Sequence, residues 1–134
     1  MILVDSSVWI DFFNGVDTAE VGLLSDSLGI QPVAIGDLML TEVLQGFRAE
    51  RDFRTALELF DSVMVLELAG REIAVKSARN FRTLRARGFT VRKTIDCVIA
   101  TYCIEHKLPL LQADRDFEPF HEHLALERAL PGTD

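Results

Sequence analysis

Ile2-Leu3-Val4-Asp5-Ser6-Ser7-Val8-Trp9 is the stretch whose reading decides the fold. Three consecutive bulky apolar residues without polar alternation read as a short strand buried on both faces, the pattern of a parallel sheet. Asp5 closes the run, and Ser6 and Ser7 offer N-caps for a helix through Val8, Trp9, Phe12 and Phe13 that Asn14-Gly15 stops. The result is a strand–helix unit with a carboxylate at its junction.

The same alternation recurs outward from this unit. Residues 18–29 read as a second amphipathic helix and 31–35 as a short strand. Asp37 is a good N-cap for a helix from Leu38 to Phe47, with Leu40, Val43, Leu44 and Phe47 on one apolar face. A helix over 50–60 leads to a strand at 62–66, and a long helix over 70–87 ends at Gly88. Thr94 caps the next helix, whose core residues are Ile95, Val98, Ile99, Tyr102 and Cys103. Pro109 precedes a strand at 110–112, residues 114–123 form a loop and short helix, and 124–126 read as a last edge strand. Short buried strands alternating with helices predict an α/β fold, a mostly parallel sheet covered on both faces. Residues 1–130 read as one domain, and 131–134 as a frayed tail.

A chain of 134 residues is long enough for one domain with a sizeable core. Its 49% hydrophobic and 26% charged residues are those of a globular protein in water. No apolar run approaches the roughly 20 residues of a membrane helix. A strand beginning at Ile2 leaves no room for a signal peptide, so the expected compartment is the cytoplasm. Cys97 and Cys103, six apart on one helix, cannot pair with each other and suit a reducing compartment. The net charge of −7 argues against a nucleic-acid partner until its distribution is read. Between Arg71 and Lys93 eight basic residues face one acid, Glu72, a local +7 that leaves −14 on the rest of the chain. Such a stripe attracts phosphates whatever the overall sign. A solvated, arginine-rich helix face is the competing reading.

Asp5, Glu42, Asp96 and Asp114 each stand in an otherwise apolar or uncharged stretch. A carboxylate is costly to desolvate without a partner. In parallel sheets ligands bind at the carboxyl ends of the strands. Asp5 and Asp114 follow strands, and Glu42 and Asp96 lie in the first turns of helices, so all four can face that edge. Converging carboxylates repel one another, which makes a cation their natural partner. Oxygen ligands suit Mg²⁺ or Mn²⁺, which can polarise a phosphodiester, generate a hydroxide nucleophile and stabilise the leaving oxygen. Apart from Cys97, next to Asp96, no cysteine or histidine falls beside the acids, which argues against zinc.

Taken singly, each acid has an ordinary reading: a turn for Asp5 and Asp114, the helix dipole for Asp96, an arginine pair for Glu42. Asp116, two residues past Asp114, is a weaker ligand candidate or a cap. Ser6 and Ser7 either orient the acids or cap the helix. Gly46 reads as allowing close helix packing, and Trp9 as a core or interface anchor. The i,i+2 spacing of His121 and His123 splays their rings, so that segment reads as an exposed tail. His106, at a helix end, reads as a dipole partner.

Together, Val4-Asp5-Ser6-Ser7-Val8-Trp9, Glu42-Val43-Leu44-Gln45-Gly46, Thr94-Ile95-Asp96-Cys97-Val98-Ile99-Ala100 and Ala113-Asp114-Arg115-Asp116-Phe117 resemble the PIN-domain ribonucleases, in particular the VapC toxins of bacterial and archaeal toxin–antitoxin pairs. Ser6 departs from the frequent threonine but keeps the hydroxyl. The resemblance implies a three-layer α/β/α fold and a Mg²⁺- or Mn²⁺-dependent endoribonuclease. Asp5, Glu42, Asp96 and Asp114 would be its catalytic, metal-holding acids, with Asp116 auxiliary. It further implies a homodimer, a VapB-type antitoxin lying across the amino-terminal helices and obstructing the acidic pocket, and room for a larger toxin–antitoxin assembly. The implied substrates are structured RNAs, transfer or ribosomal, cut at loops whose bases are unstacked. Arg79, Arg82, Arg85, Arg87, Arg92 and Lys93 then become a track for RNA phosphates. A phosphoacceptor receiver would need an aspartate ending the third strand, and a phosphatase an Asp-x-Asp pair where position 7 is serine. An RNA-binding module that holds metal without cutting stays open.

Overall fold

A computed structural model of the chain describes residues 1–130. Its central sheet is parallel throughout: β1 (Ile2–Val4), β2 (Val33–Gly36), β3 (Met64–Leu66) and β4 (Leu110–Leu111), in the order β3-β2-β1-β4. Leu3 faces Ala34 on one side and Leu110 on the other. β1, β2 and β4 are buried along their whole length, as their apolar sequences require. β3 is an edge strand and leaves Met64 and Val65 exposed.

Helices α1 (Ser6–Phe13), α2 (Ala19–Ser27), α3 (Asp37–Gln45), α4 (Glu50–Phe60), α5 (Arg71–Ala86), α6 (Thr94–Glu105) and α7 (Glu118–His123) cover the sheet on both faces. Trp9 is fully buried, with its ring 4.9 Å from that of Phe60, and so anchors the core rather than an interface. α5 and α6 form an antiparallel pair, since Lys76 meets Glu105 and the Asn80 amide donates to Thr101 Oγ1 at 3.0 Å. Cys97 and Cys103 are buried free thiols in that layer. Among the described residues no helix is long and apolar enough to cross a membrane.

The chain winds from β1 outward through β2 to β3, then returns to the far side of β1 for β4. Strand order therefore reverses between β1 and β4, and the crevice at the carboxyl ends of those two strands is where such sheets bind ligands. α1 and α3 start directly after β1 and β2, and α6 runs back toward the start of β4. All three helix N-termini, with their partial positive charge, lie along that edge.

Several expected details shift. The N-cap of α1 is Asp5 rather than Ser6 or Ser7, because its carboxylate reaches the Ser7 N–H at 3.1 Å. α3 is capped by Gly36 and α6 by Lys93, which moves Asp37 and Thr94 into the first turns. The glycine without room for a side chain is Gly36, not Gly46. A Cβ at Gly36 would lie 2.7 Å from both Leu68 Cγ and Met39 Cε, whereas one at Gly46 would meet only Val43 O at 3.4 Å. Residues 124–126 form no strand: Leu124 caps α7, and Ala125 turns the chain with φ 63°. The edge pairing comes later, where Leu110 N–H donates to Glu127 O (3.0 Å) and Ala129 N–H to Leu110 O (3.1 Å). Gln112 lies past the end of β4. The expected tail at 131–134 lies outside the described residues.

Candidate metal centre

The winding delivers Asp5, Asp96, Asp114 and Asp116 to the β1/β4 crevice from three elements. Asp5 ends β1 and caps α1, and its backbone N–H donates to Leu111 O of β4 at 2.9 Å. Asp96 is the third residue of α6, and Asp114 and Asp116 belong to the turn after β4. The tightest grouping is Asp96, Asp114 and Asp116, one carboxylate oxygen from each lying within 4.8 Å of the others. Asp116, the weaker candidate by sequence, is thus inside the closest set. Asp5 acts electrostatically on Asp96, and Glu42 lies further out, acted on by Asp5.

Two adjacent hydroxyls tie these acids together. Ser7 Oγ donates to Asp5 Oδ2 at 2.6 Å and accepts the Ala113 N–H at 3.0 Å, joining the β1 end to the β4 turn. Ser6 Oγ donates to Glu42 Oε1 at 3.4 Å. Asp114 Oδ1 accepts the Asp116 N–H at 2.9 Å, and its backbone N–H donates to Gln112 Oε1 at 2.6 Å. Gln112 carried no signal in the sequence beyond its place in a strand. A long amide directly after a buried strand and just before an acid is the pattern that marks it.

The electrostatics record the crowding. Asp96 is 5% exposed, and its Oδ2 is buried without a hydrogen-bond partner. Burial first, then the charge of Asp5, raises its pKa to about 7, against the pull of Lys93. Burial also raises Asp5, opposed by the Ser7 hydrogen bonds, and burial together with Asp5 raises Glu42. Carboxylates held this way are poised to gain from a positive ion. An unpartnered buried carboxylate oxygen within an all-oxygen donor set fits a hard divalent cation.

The basic residues divide. Arg92 lies 3.5 Å from Asp116 and Lys93 Nζ 3.9 Å from Asp114, so these two are counter-charges at the acidic mouth. Arg79, Arg82 and Arg85 line an open groove of about 450 Å³ on α5 and form no ion pair among the described residues. Arg87 donates to the His123 carbonyl at 3.4 Å instead. His121 is half-buried rather than exposed, its Nδ1 2.9 Å from Leu126 O. His106 caps α6 and stacks on Tyr102, as a helix-end partner should.

The PIN domain family matches residues 2–121 of the chain. A VapC ribonuclease of Mycobacterium bovis and ribonuclease VapC11 of Mycobacterium tuberculosis are each 29% identical over 122 residues, covering 88% of this chain and 90% of theirs. In fold the chain is similar to VapBC2 of Rickettsia felis bound to a promoter DNA fragment (TM-score 0.72, 16% identity, 96% and 97% of the two chains). It is also similar to VapC20 of Mycobacterium tuberculosis, a sarcin–ricin-loop-cleaving toxin (TM-score 0.61, 17% identity, 88% and 93%).

Proposed function

This chain belongs to the PIN domain family, and from that membership we propose that it is a divalent-metal-dependent endoribonuclease, the toxin of a toxin–antitoxin pair. The observation that carries the reading is the convergence of Asp5, Asp96, Asp114 and Asp116 on the β1/β4 crevice, with a buried, unpartnered oxygen on Asp96. The ribonuclease names of the curated relatives support the substrate class.

Asp96, Asp114, Asp116 and Asp5 would hold the cation, Mg²⁺ or Mn²⁺, which when bound would supply charge neutralisation in the pocket and polarisation of the scissile phosphodiester. Ser7 fixes the Asp5 carboxylate against the Asp114 turn, so the acids present one preorganised set of oxygens. To Glu42, half-buried and raised in pKa, we assign acceptance of the proton that an attacking water loses as its oxygen bonds to phosphorus. The P–O bond to the leaving nucleoside breaks, and that oxygen is protonated from solvent. Arg79, Arg82 and Arg85 lie on α5, the antiparallel partner of the helix that carries Asp96, and hold flanking phosphates.

The partner is an antitoxin of the VapB type, a role supported by the VapBC complexes among the structural neighbours. A homodimer and a cytoplasmic location complete the reading. The substrate is a structured RNA opened at a loop; the sarcin–ricin loop, which VapC20 cleaves, is one to test. The decisive experiment incubates the purified protein with total RNA and Mn²⁺ and maps new ends. Discrete ends that vanish in excess chelator are expected. RNA binding without new ends would make the protein a non-cutting RNA binder.

A further inference from the structure

Behind the acidic pocket lies a polar network that the proposed reaction does not use directly. It borders a cleft of about 890 Å³ lined by Gln112, Asp114, Glu118, His121 and Arg128 among others. Gln112 stands at its centre. Its Oε1 accepts the Asp114 N–H at 2.6 Å, and its Nε2 lies 3.3 Å from Glu118 Oε1 and 3.4 Å from His121 Nε2.

The neighbours leave that amide one orientation. Glu118 is an acceptor, held as a two-point pair by Arg128 (Nη1 to Oε1 3.1 Å, Nη2 to Oε2 2.6 Å). His121 Nδ1 faces the Leu126 carbonyl at 2.9 Å, which requires the proton on Nδ1 and leaves a lone pair on Nε2. Both groups on that side therefore accept, and Gln112 presents its NH₂ to them. Turned over, the amide would set its oxygen against a carboxylate and its NH₂ against the Asp114 N–H. Arg128 is itself anchored where the chain pairs with β4 beside Leu110.

We propose that Gln112 is a positioning residue that holds the Asp114 backbone in the metal pocket, and that Glu118, His121 and Arg128 hold Gln112. Two successive peptide N–H groups leading into Asp114 are held by side chains, Ala113 N–H by Ser7 and Asp114 N–H by Gln112, and together they fix the turn. Loss of the Gln112 bond lets the turn rotate and moves the Asp114 carboxylate away from Asp96 and Asp116. This deepens the proposed function and rests on it, because it assumes that these acids bind a divalent cation.

The test is Mn²⁺ titration by calorimetry on metal-stripped protein, comparing wild type, Asp114→Asn, Gln112→Met and Arg128→Met. ¹H–¹⁵N spectra of the same proteins follow the Asp114 amide. Gln112→Met keeps the side-chain length and removes the hydrogen bonds. It is expected to weaken Mn²⁺ about tenfold, the usual scale for a group supporting a metal ligand, and to shift the Asp114 amide resonance upfield. Arg128→Met, outside the acid cluster, is expected to move both readouts the same way by less, and it decides the matter if Gln112→Met does not fold. A folded Gln112→Met, or in its place Arg128→Met, with wild-type affinity and an unmoved Asp114 amide overturns the inference while leaving the metal site standing. If wild type and Asp114→Asn bind Mn²⁺ equally, the metal-site reading itself fails and takes the inference with it.

Discussion

Two clusters of like charge, on α6 with the β4 turn and on α5, stand on paired helices and have opposite physics. In the β1/β4 crevice Asp96 is 5% exposed and Asp5 3%, and hydrogen bonds from Ser7 and from the Asp116 N–H hold the Asp5 and Asp114 carboxylates. The arginines of α5 are exposed and unpaired among the described residues, with Arg85 resting 5.5 Å from the Phe81 ring centre. In water, ions screen the mutual repulsion of the arginines within about 10 Å, so their cluster costs little and grips loosely. Burial removes that screening from the acids, so their cluster is costly until a cation binds. A like-charge cluster points to a tight, geometric site when it is buried and to a diffuse electrostatic one when it is exposed.

The largest break in this contrast comes from Asp96→Asn. Cleavage is expected to fall by a factor on the order of 10²–10³, as when a charge-stabilising group is lost, while circular dichroism reports an unchanged fold. End-mapping of RNA checks it, and near-wild-type cutting by this variant would remove Asp96 from the chemistry.

Next in size is a pH effect on the metal-free protein. The folded pKa of Asp96, about 7, lies above its ordinary 3.8, so between these values the folded state carries the extra proton. Stability is therefore greatest on the acid side of this window and falls as pH rises through it, by about 4 kcal/mol at most from this group. Asp5, also raised, adds in the same direction. Urea melts of chelator-treated protein should give a lower midpoint at pH 8 than at pH 5.5. Saturating Mn²⁺, or Asp96→Asn, should flatten the difference. A midpoint that rises with pH would contradict the crowding argument.

A smaller effect is expected from the exposed cluster. Changing Arg79, Arg82 and Arg85 together to glutamine should lower the slope of log K against log salt for single-stranded RNA by about 2, at roughly 0.7 per phosphate contact. The cleavage rate at saturating RNA should stay within about twofold. Filter binding across a salt series reads this directly, and an unchanged slope assigns the groove to another partner.

Lys93 sits between the two regimes and gives the smallest and sharpest signal. With Nζ 3.9 Å from Asp114, it belongs to the acidic mouth. Lys93→Gln should tighten Mn²⁺ a few-fold by removing a competing cation, an effect of under about 1 kcal/mol for an exposed pair. Weaker RNA binding with unchanged Mn²⁺ affinity would move Lys93 into the arginine track instead.

The alternation of three-residue apolar runs with amphipathic helices was enough to predict a parallel α/β sheet, because doubly buried strands have no other sequence pattern. The anomalous acids were legible for a related reason: a charge inside a core-building segment carries an energetic cost whatever the fold. Caps were misplaced by a residue because Asp5 competes with Ser6 and Ser7 for the same N–H groups, and only backbone geometry decides among them. The expected strand at 124–126 failed because Ala125 adopts a left-handed turn that an Ala does not announce.

By itself, then, the sequence determined the layers, the four exceptional carboxylates and the segregation of basic charge, since these follow from local periodicity and desolvation. Only the tertiary structure decided the strand order that opens the crevice between β1 and β4, the entry of Asp116 into the tightest acid set, and the division of Arg92 and Lys93 from the α5 arginines. It alone decided the Gln112 network and the crowding of Gly36. These depend on contacts between residues far apart in the chain, such as Ser7 with Ala113. Local sequence carries the cost of placing a group, but its partner is chosen when the whole chain closes.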